Sequence, residues 1–227
     1  SRVVNVLFVF GIAGMIMGSV SAIGEGNLRR MIAYSSVAQI GYIYMGLGLA
    51  TEAGSIASLY HVLSHGATKS LLFVAAAGLA DASGGSDRYG DITGAGFRNR
   101  LAGVAFTVGS LSMVGMPVFS GFISKLLFAQ AAVGHTHKML PTVIALAIST
   151  VLNAVYFMKT VIRIYTRKPM GLSGMGSGGA ETGRVVSLSE QPAKSAALVC
   201  FILLNLILGL NSDPIVRLIQ SGIEMFE

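Results

Sequence analysis

Met116-Pro117-Val118-Phe119-Ser120-Gly121-Phe122-Ile123-Ser124-Lys125 sits in the middle of an apolar stretch, residues 101–134. How that stretch crosses a bilayer decides the fold. About 34 residues of straight helix would span roughly 51 Å, too long for one ordinary crossing of about 20 residues. Pro117 removes a backbone donor and collides with the preceding turn. Gly121, close behind it, weakens the helix again. The stretch is either one broken crossing or two short ones.

The composition around it is that of a membrane protein. Only 11% of the 227 residues are charged and 53% are apolar, against about 25% charged in a soluble domain. Mean hydropathy is +0.70. Further apolar runs cover residues 3–23, 31–50, 55–80, 139–165 and 194–210, each near the length of a spanning helix. The short alternating segments of a membrane β-barrel are missing. The expected fold is all-α, a polytopic transmembrane helical bundle of about six spans including one broken helix. Residues 1–212 form the transmembrane part. Residues 213–227, with Ile215, Leu218, Ile219 and Ile223 at helical spacing, form an amphipathic C-terminal segment. Gly11, Gly14 and Gly18 lie near one face of the first span, which predicts a close helix contact.

Charge arbitrates between the two readings of residues 101–134. With one broken crossing, one side of the membrane receives Arg29, Arg30, Arg88, Arg98, Arg100, Arg163, Arg167, Lys168, Arg184 and Lys194, and the other receives Arg2, Lys138 and Arg217. That split is ten to three; two crossings would make it seven to six. The positive-inside rule favours the single broken helix, with the ten-residue side cytoplasmic. Because the basic residues flank spans and do not gather in one polar domain, the net charge of +6 does not point to nucleic acid. The lone Cys200 excludes intrachain disulfides and cysteine-based metal clusters. Ser1 precedes an apolar run with no signal-peptide pattern, and the absence of an initiator Met predicts a fragment of a longer chain.

Ionisable residues inside spans carry the functional reading, since each costs roughly 2.5–3.5 kcal/mol at mid-membrane. In His61-Val62-Leu63-Ser64-His65-Gly66-Ala67-Thr68-Lys69 they recur at i, i+4 and i+8, along one helix face and about 6 Å apart per step. A histidine can accept on one ring nitrogen while donating from the other. A ladder of three needs only a water or a rotamer change to pass a proton. The plainer alternative is that the histidines hydrogen-bond across helices. Lys125 falls in the first turn of the half-helix after the break, where the positive helix end disfavours a cation. Broken helices at membrane depth line cavities in transporters. Lys159, one turn from Arg163, reads as a snorkelling lysine. His135, His137 and Lys138 read as loop residues, and residues 174–179, rich in glycine, as a flexible linker. All ten acidic residues lie in loops or at ends, so the groups inside the membrane are proton carriers and not the hard oxygen ligands a sodium ion prefers.

Three motifs in order resemble a known family. They are Asn27-Leu28-Arg29-Arg30-Met31-Ile32-Ala33-Tyr34-Ser35-Ser36-Val37-Ala38-Gln39-Ile40-Gly41-Tyr42, the His61/His65/Lys69 ladder, and the break leading to Gly121-Phe122-Ile123-Ser124-Lys125. Together they are similar to the antiporter-like proton-translocating subunits of respiratory complex I (NADH-quinone oxidoreductase), of multisubunit Na+/H+ antiporters and of membrane-bound hydrogenases. The resemblance covers most of residues 3–165. It implies the C-terminal part of a subunit of about fourteen helices, with His61, His65 and Lys69 as internal proton relay and Lys125 as the broken-helix lysine of the exit half-channel. Asn27 stands where the family usually has Asp, which alters a loop contact, and residues 116–118 keep one proline where many relatives have two. The resemblance implies an entry half-channel upstream.

The resemblance implies a proton-translocating membrane subunit of a redox-driven ion pump or hydrogenase, with no redox centre or cofactor in this chain. A Na+/H+ antiporter subunit and a non-transporting membrane scaffold are the alternatives. The implied partners are the lipid membrane, other membrane subunits, and protons, with Na+ the other candidate ion. The implied setting is a bacterial or archaeal cell membrane or an organellar inner membrane.

Overall fold

The computed structural model describes residues 2–133, 137–167 and 192–225. Among them are nine helices: α1 (Arg2–Gly24), α2 (Leu28–Leu47), α3 (Glu52–Asp81), α4 (Ala95–Arg98), α5 (Arg100–Val114), α6 (Ser120–Val133), α7 (Met139–Ile164), α8 (Pro192–Leu210) and α9 (Asp213–Glu224). Helices α1, α3, α7 and α8 are each long and apolar enough to cross a membrane. Helix α2 has 20 residues, sufficient by length. Helices α5 and α6, of 15 and 14 residues, are too short to cross singly.

The two ends of the bundle show how they combine. At one end the loop after α3 folds over the start of α2: Leu28 N donates to Asp87 O (2.8 Å) and Tyr89 N to Gly26 O (3.0 Å). That end also holds the close of α7, through Gly94 N to Arg163 O (3.3 Å), and the first turn of α8, through a 2.6 Å Lys194–Asp81 ion pair. At the opposite end Lys138, just before α7, donates to Gly48 O after α2 (2.7 Å) and stands 5.3 Å from the centre of the Phe8 ring in α1. There too Tyr60, early in α3, donates to Leu208 O late in α8 (2.5 Å). Helix α5 starts at the first end, directly after α4, and α6 finishes at the second, ahead of Lys138. The pair therefore makes one crossing, broken between Val114 and Ser120. The protein is an all-α integral membrane bundle, with six crossings among the described residues and the described basic residues outside the crossings divided between its ends as the charge count predicts. Lys168, Arg184, His135 and the glycine-rich run 174–179 lie outside the described residues.

Helices α1 and α2 touch backbone to backbone. A Cβ at Gly11 would lie 2.4 Å from Met45 N, one at Gly18 2.5 Å from Ala38 N, and one at Gly41 2.5 Å from Met15 N. Gly14 has ordinary space, its nearest atom 3.5 Å away. Between apolar helices in lipid, such close approach is the main source of attraction, because burial from water contributes nothing there.

The connection between α3 and α5 contains the single turn α4. Four residues are too few for a hydrophobic period to show. The turn forms because Gly94 adopts φ 75° before it, and because the Arg98 guanidinium clamps the loop, donating to Ala82 O (2.8 Å), Thr93 O (3.2 Å) and Ser83 Oγ (3.0 Å). Asn27 caps α2 by accepting from Arg30 N (3.0 Å) and donates from Nδ2 to Asp87 Oδ1 (2.5 Å). An Asp in its place would set two carboxylates face to face. Helix α9 buries none of its residues.

Two outcomes follow for the full-length protein in detergent or nanodiscs. Gly11→Ala lowers the melting temperature, by an overpacking cost of about 1–3 kcal/mol, whereas Gly14→Ala leaves it unchanged. Asn27→Asp destabilises at neutral pH and recovers as pH falls through the carboxylate range, the two acids then sharing a proton.

Candidate functional site

The break in the fourth crossing creates the site. Helix α5 closes with Gly115 at φ 92°. Gly115 N donates to Leu111 O (3.1 Å) and Ser112 O (2.9 Å), and Met116 N to Leu111 O (3.0 Å), a glycine-terminated closure that satisfies two of the last carbonyls. Met113 O and Val114 O remain, at a depth where no bulk water can serve them. Lys125 supplies the donors. Its Nζ reaches Val114 O (2.6 Å), Met113 O (3.2 Å) and Thr150 Oγ1 of α7 (3.0 Å), using all three hydrogens of an ammonium.

This corrects the expectation that the helix field opposes the charge. Lys125 is one turn deeper in α6 than expected, since α6 begins at Ser120. Its side chain turns back across the break to the negative C-terminal end of α5, and there the dipole favours a cation.

The other side of the break is also satisfied. Gly121 N donates to Ser112 Oγ (3.2 Å) and Phe122 N to Phe119 O (3.1 Å). Val118 holds φ 83°, a strained conformation for a β-branched residue that costs on the order of 1–3 kcal/mol. Gly209 of α8 lets this loop in, because any Cβ there would overlap the Val118 carbonyl.

Helix α3 turns its polar face toward the break. His61 Nδ1 and Ser124 Oγ are 2.5 Å apart. The His61 ring stacks on Tyr42 (5.3 Å) and on His65 (6.0 Å), with the edge of Phe128 against it (5.5 Å). Ser64 Oγ donates to Ser120 Oγ (2.8 Å), Ser120 Oγ to Asn205 Oδ1 (3.2 Å), Asn205 Nδ2 to Thr68 Oγ1 (2.7 Å), and Thr68 Oγ1 to Ser64 O (2.8 Å). That ring of bonds ties α3, α6 and α8 together at the break. Beside it lies a cavity of about 10 Å³ lined by Gln39, His61, Ser64, His65, Thr68, Ser112, Met113, Gly121 and Lys125. Its size is near the minimum for one water molecule. His61 Nε2, His65 Nδ1 and Gln39 Nε2 are buried without a protein partner.

The structure thus brings His61, His65 and Lys125 to one cavity. Lys69, the third rung of the predicted ladder, is buried but turns elsewhere. Its Nζ donates to Ile32 O of α2 (2.8 Å) and to Ser35 Oγ, and stands 6.0 Å from the centre of the Phe157 ring. Lys159 is exposed on the outer face of α7.

Sequence reasoning missed Ser124, Ser120, Ser112, Thr150 and Asn205. Ser64 and Thr68 had a usable signal, since they alternate with the histidines at four-residue spacing on α3. Asn205 had another: it is the one amide in an otherwise apolar stretch of α8.

Comparison with known proteins agrees with this architecture. The family model described as NADH:quinone oxidoreductase/Mrp antiporter, TM, matches residues 1–153. The NADH-quinone oxidoreductase subunit N of Desulforudis audaxviator (strain MP104C) is 36% identical over 186 residues, 82% of this chain and 35% of the relative. That of Chlorobium chlorochromatii (strain CaD3) is 31% identical over 166 residues, 73% of this chain and 32% of the relative. The chain therefore spans about a third of the length of these curated relatives. Among solved structures, the Mrp complex from Dietzia sp. DQ12-45-1b superimposes with a TM-score of 0.82 at 25% identity, over 97% of this chain and 46% of that one. An archaeal membrane-bound sulfane sulfur reductase shares the fold, with a TM-score of 0.76 at 24% identity, over 91% of this chain and 32% of that one. With a family model covering most of its length and the broken crossing in place, the chain belongs to the NADH:quinone oxidoreductase/Mrp antiporter transmembrane family.

Proposed function

We propose that this chain is part of a proton-translocating membrane subunit of a redox-driven ion pump, working beside other membrane subunits, and that His61, His65, Lys69 and Lys125 carry the proton. The observation behind this reading is the shared cavity: two histidines and a lysine meet across a helix break, and among the described residues no carboxylate lines the space. The relatives called NADH-quinone oxidoreductase subunit N favour a redox complex as the setting.

In this reading a proton reaches the His65–His61 pair and passes through Ser124 Oγ, or through a water in the cavity, to Lys125. Each imidazole accepts at one nitrogen and releases from the other, and the serine hydroxyl accepts and donates in the same way. As an ammonium, Lys125 holds Met113 O and Val114 O. Once it gives up its proton it has two donors for three acceptors, and the closure of α5 loosens. Proton occupancy is thereby coupled to the geometry of the break, a two-state element of the kind that transmits work between sites. Lys69, bonded to α2, is the inner end of the path.

The test is His65→Ala in the full-length protein within its assembled complex. Protons translocated per turnover fall about tenfold, a modest loss for removing a positioned proton-transfer group, while subunit assembly is retained. Undiminished translocation in the assembled complex would rule the relay out and favour a scaffold role.

A further inference from the structure

Helix α7 carries a feature that the relay above does not use. Thr142, Ser149, Asn153, Tyr156 and Thr160 lie at i, i+7, i+11, i+14 and i+18, all within 1% of complete burial. Val143, Ile148, Val151, Val155 and Ile162 point outward and are exposed. The helix is thus polar inside and apolar outside. If the stripe served only to bind helices together, each hydroxyl would hold a partner. Two do not, Thr142 Oγ1 and Ser149 Oγ, and the hydroxyl of Tyr42, which faces α7 from α2, is likewise buried without a close partner.

Asn153 and Tyr156 lie on α7 between Thr150, which Lys125 bonds, and Phe157, whose ring Lys69 faces, and Ser149 lies beside Thr150. Lys69 Nζ bonds Ser35 Oγ, and Ser35 lies beside the Tyr156 hydroxyl. Tyr156 donates to Asn153 Oδ1 (2.5 Å). Asn153 Nδ2 reaches Met113 O (3.5 Å), a carbonyl that Lys125 also holds. The Tyr42 hydroxyl faces Ser149, Thr150 and Asn153, and Thr150 Oγ1 accepts from Lys125 Nζ (3.0 Å). Neither histidine belongs to this line.

We propose that Ser35, Tyr156, Tyr42 and Thr150 form a second, hydroxyl-lined route between Lys69 and Lys125 that bypasses the His61–His65 pair, with Asn153 as the residue that positions the two phenols. The inference rests on the relay reading above. Along the route each hydroxyl oxygen accepts one proton and releases the one it held. Lys69 goes from ammonium to amine, Lys125 from amine to ammonium, and one positive charge is displaced with no bond to carbon made or broken. The route needs rotation of hydroxyls, which the unbonded Tyr42 and Ser149 groups are free to make.

Tyr42→Phe is a clean probe, because it keeps the ring stacked on His61 and removes only the hydroxyl that faces Ser149, Thr150 and Asn153. It is made in the full-length protein in its complex, alone and with His65→Ala, and proton translocation is measured along with assembly and melting temperature. Tyr42→Phe alone is expected to leave translocation near wild type. His65→Ala retains about a tenth, and the double variant falls at least about tenfold further, a threshold set below the roughly 10²–10⁴-fold contribution of a positioned proton-transfer group. Tyr156→Phe in the His65→Ala background reproduces that loss. Assembly is retained throughout, which the readout requires, while Tyr156→Phe lowers the melting temperature because Asn153 Oδ1 loses its donor. The second route is overturned if the double variant retains the flux of His65→Ala. It is also overturned if His65→Ala alone abolishes flux, or if Tyr42→Phe alone does; in both of those cases the relay reading survives. If neither His65→Ala nor the double variant loses flux, both readings fall.

Discussion

A lysine reaching backwards across a broken helix holds this part of the bundle together. In lipid, every backbone carbonyl must find a donor inside the protein, and the last turn of α5 has two that its own chain cannot reach. The Lys125 ammonium serves both, and its third hydrogen binds Thr150 of the next crossing. A charge costly on its own becomes the least costly way to end a helix at mid-membrane. The same bonds make the end of α5 sensitive to whether that charge is present.

The neighbouring structure is arranged to keep the break in one place. Ser112 caps the incoming half-helix, the hydroxyl of Ser120 joins α3 to α8 through Asn205, and Gly209 makes room for the strained loop at Val118. All three devices use small residues, because larger side chains would push apart helices that lack a hydrophobic drive to associate in lipid. The histidines occupy the space these devices leave, wedged between aromatic rings with free nitrogens facing the cavity.

Much of this was legible in the sequence. Length, Pro117 and the distribution of Arg and Lys sufficed to read residues 101–134 as one broken crossing, because positive charge partitions between membrane sides regardless of packing detail. Gly11, Gly14 and Gly18 predicted a close helix contact, and Gly11 and Gly18 make it while Gly14 has ordinary room. Spacing could not give the direction taken by long side chains. His61, His65 and Lys69 share a helix face, yet four methylenes let the Lys69 ammonium leave that face for a carbonyl of α2. Lys125 likewise sits near a helix start in sequence while its charge lies at a helix end in space. The polar stripe of α7 was readable at its spacing and was overlooked, because each serine, threonine or asparagine taken singly is ordinary in a membrane helix.

The central claim is that Lys125 works by gaining and losing a proton while it closes α5. Lys125→Arg tests it most directly. Arginine keeps a permanent charge and enough donors for Met113 O and Val114 O, but it does not deprotonate in proteins. Measured in the full-length protein within its complex, the account predicts normal assembly and loss of proton translocation. Translocation at the wild-type rate with arginine in place would contradict it.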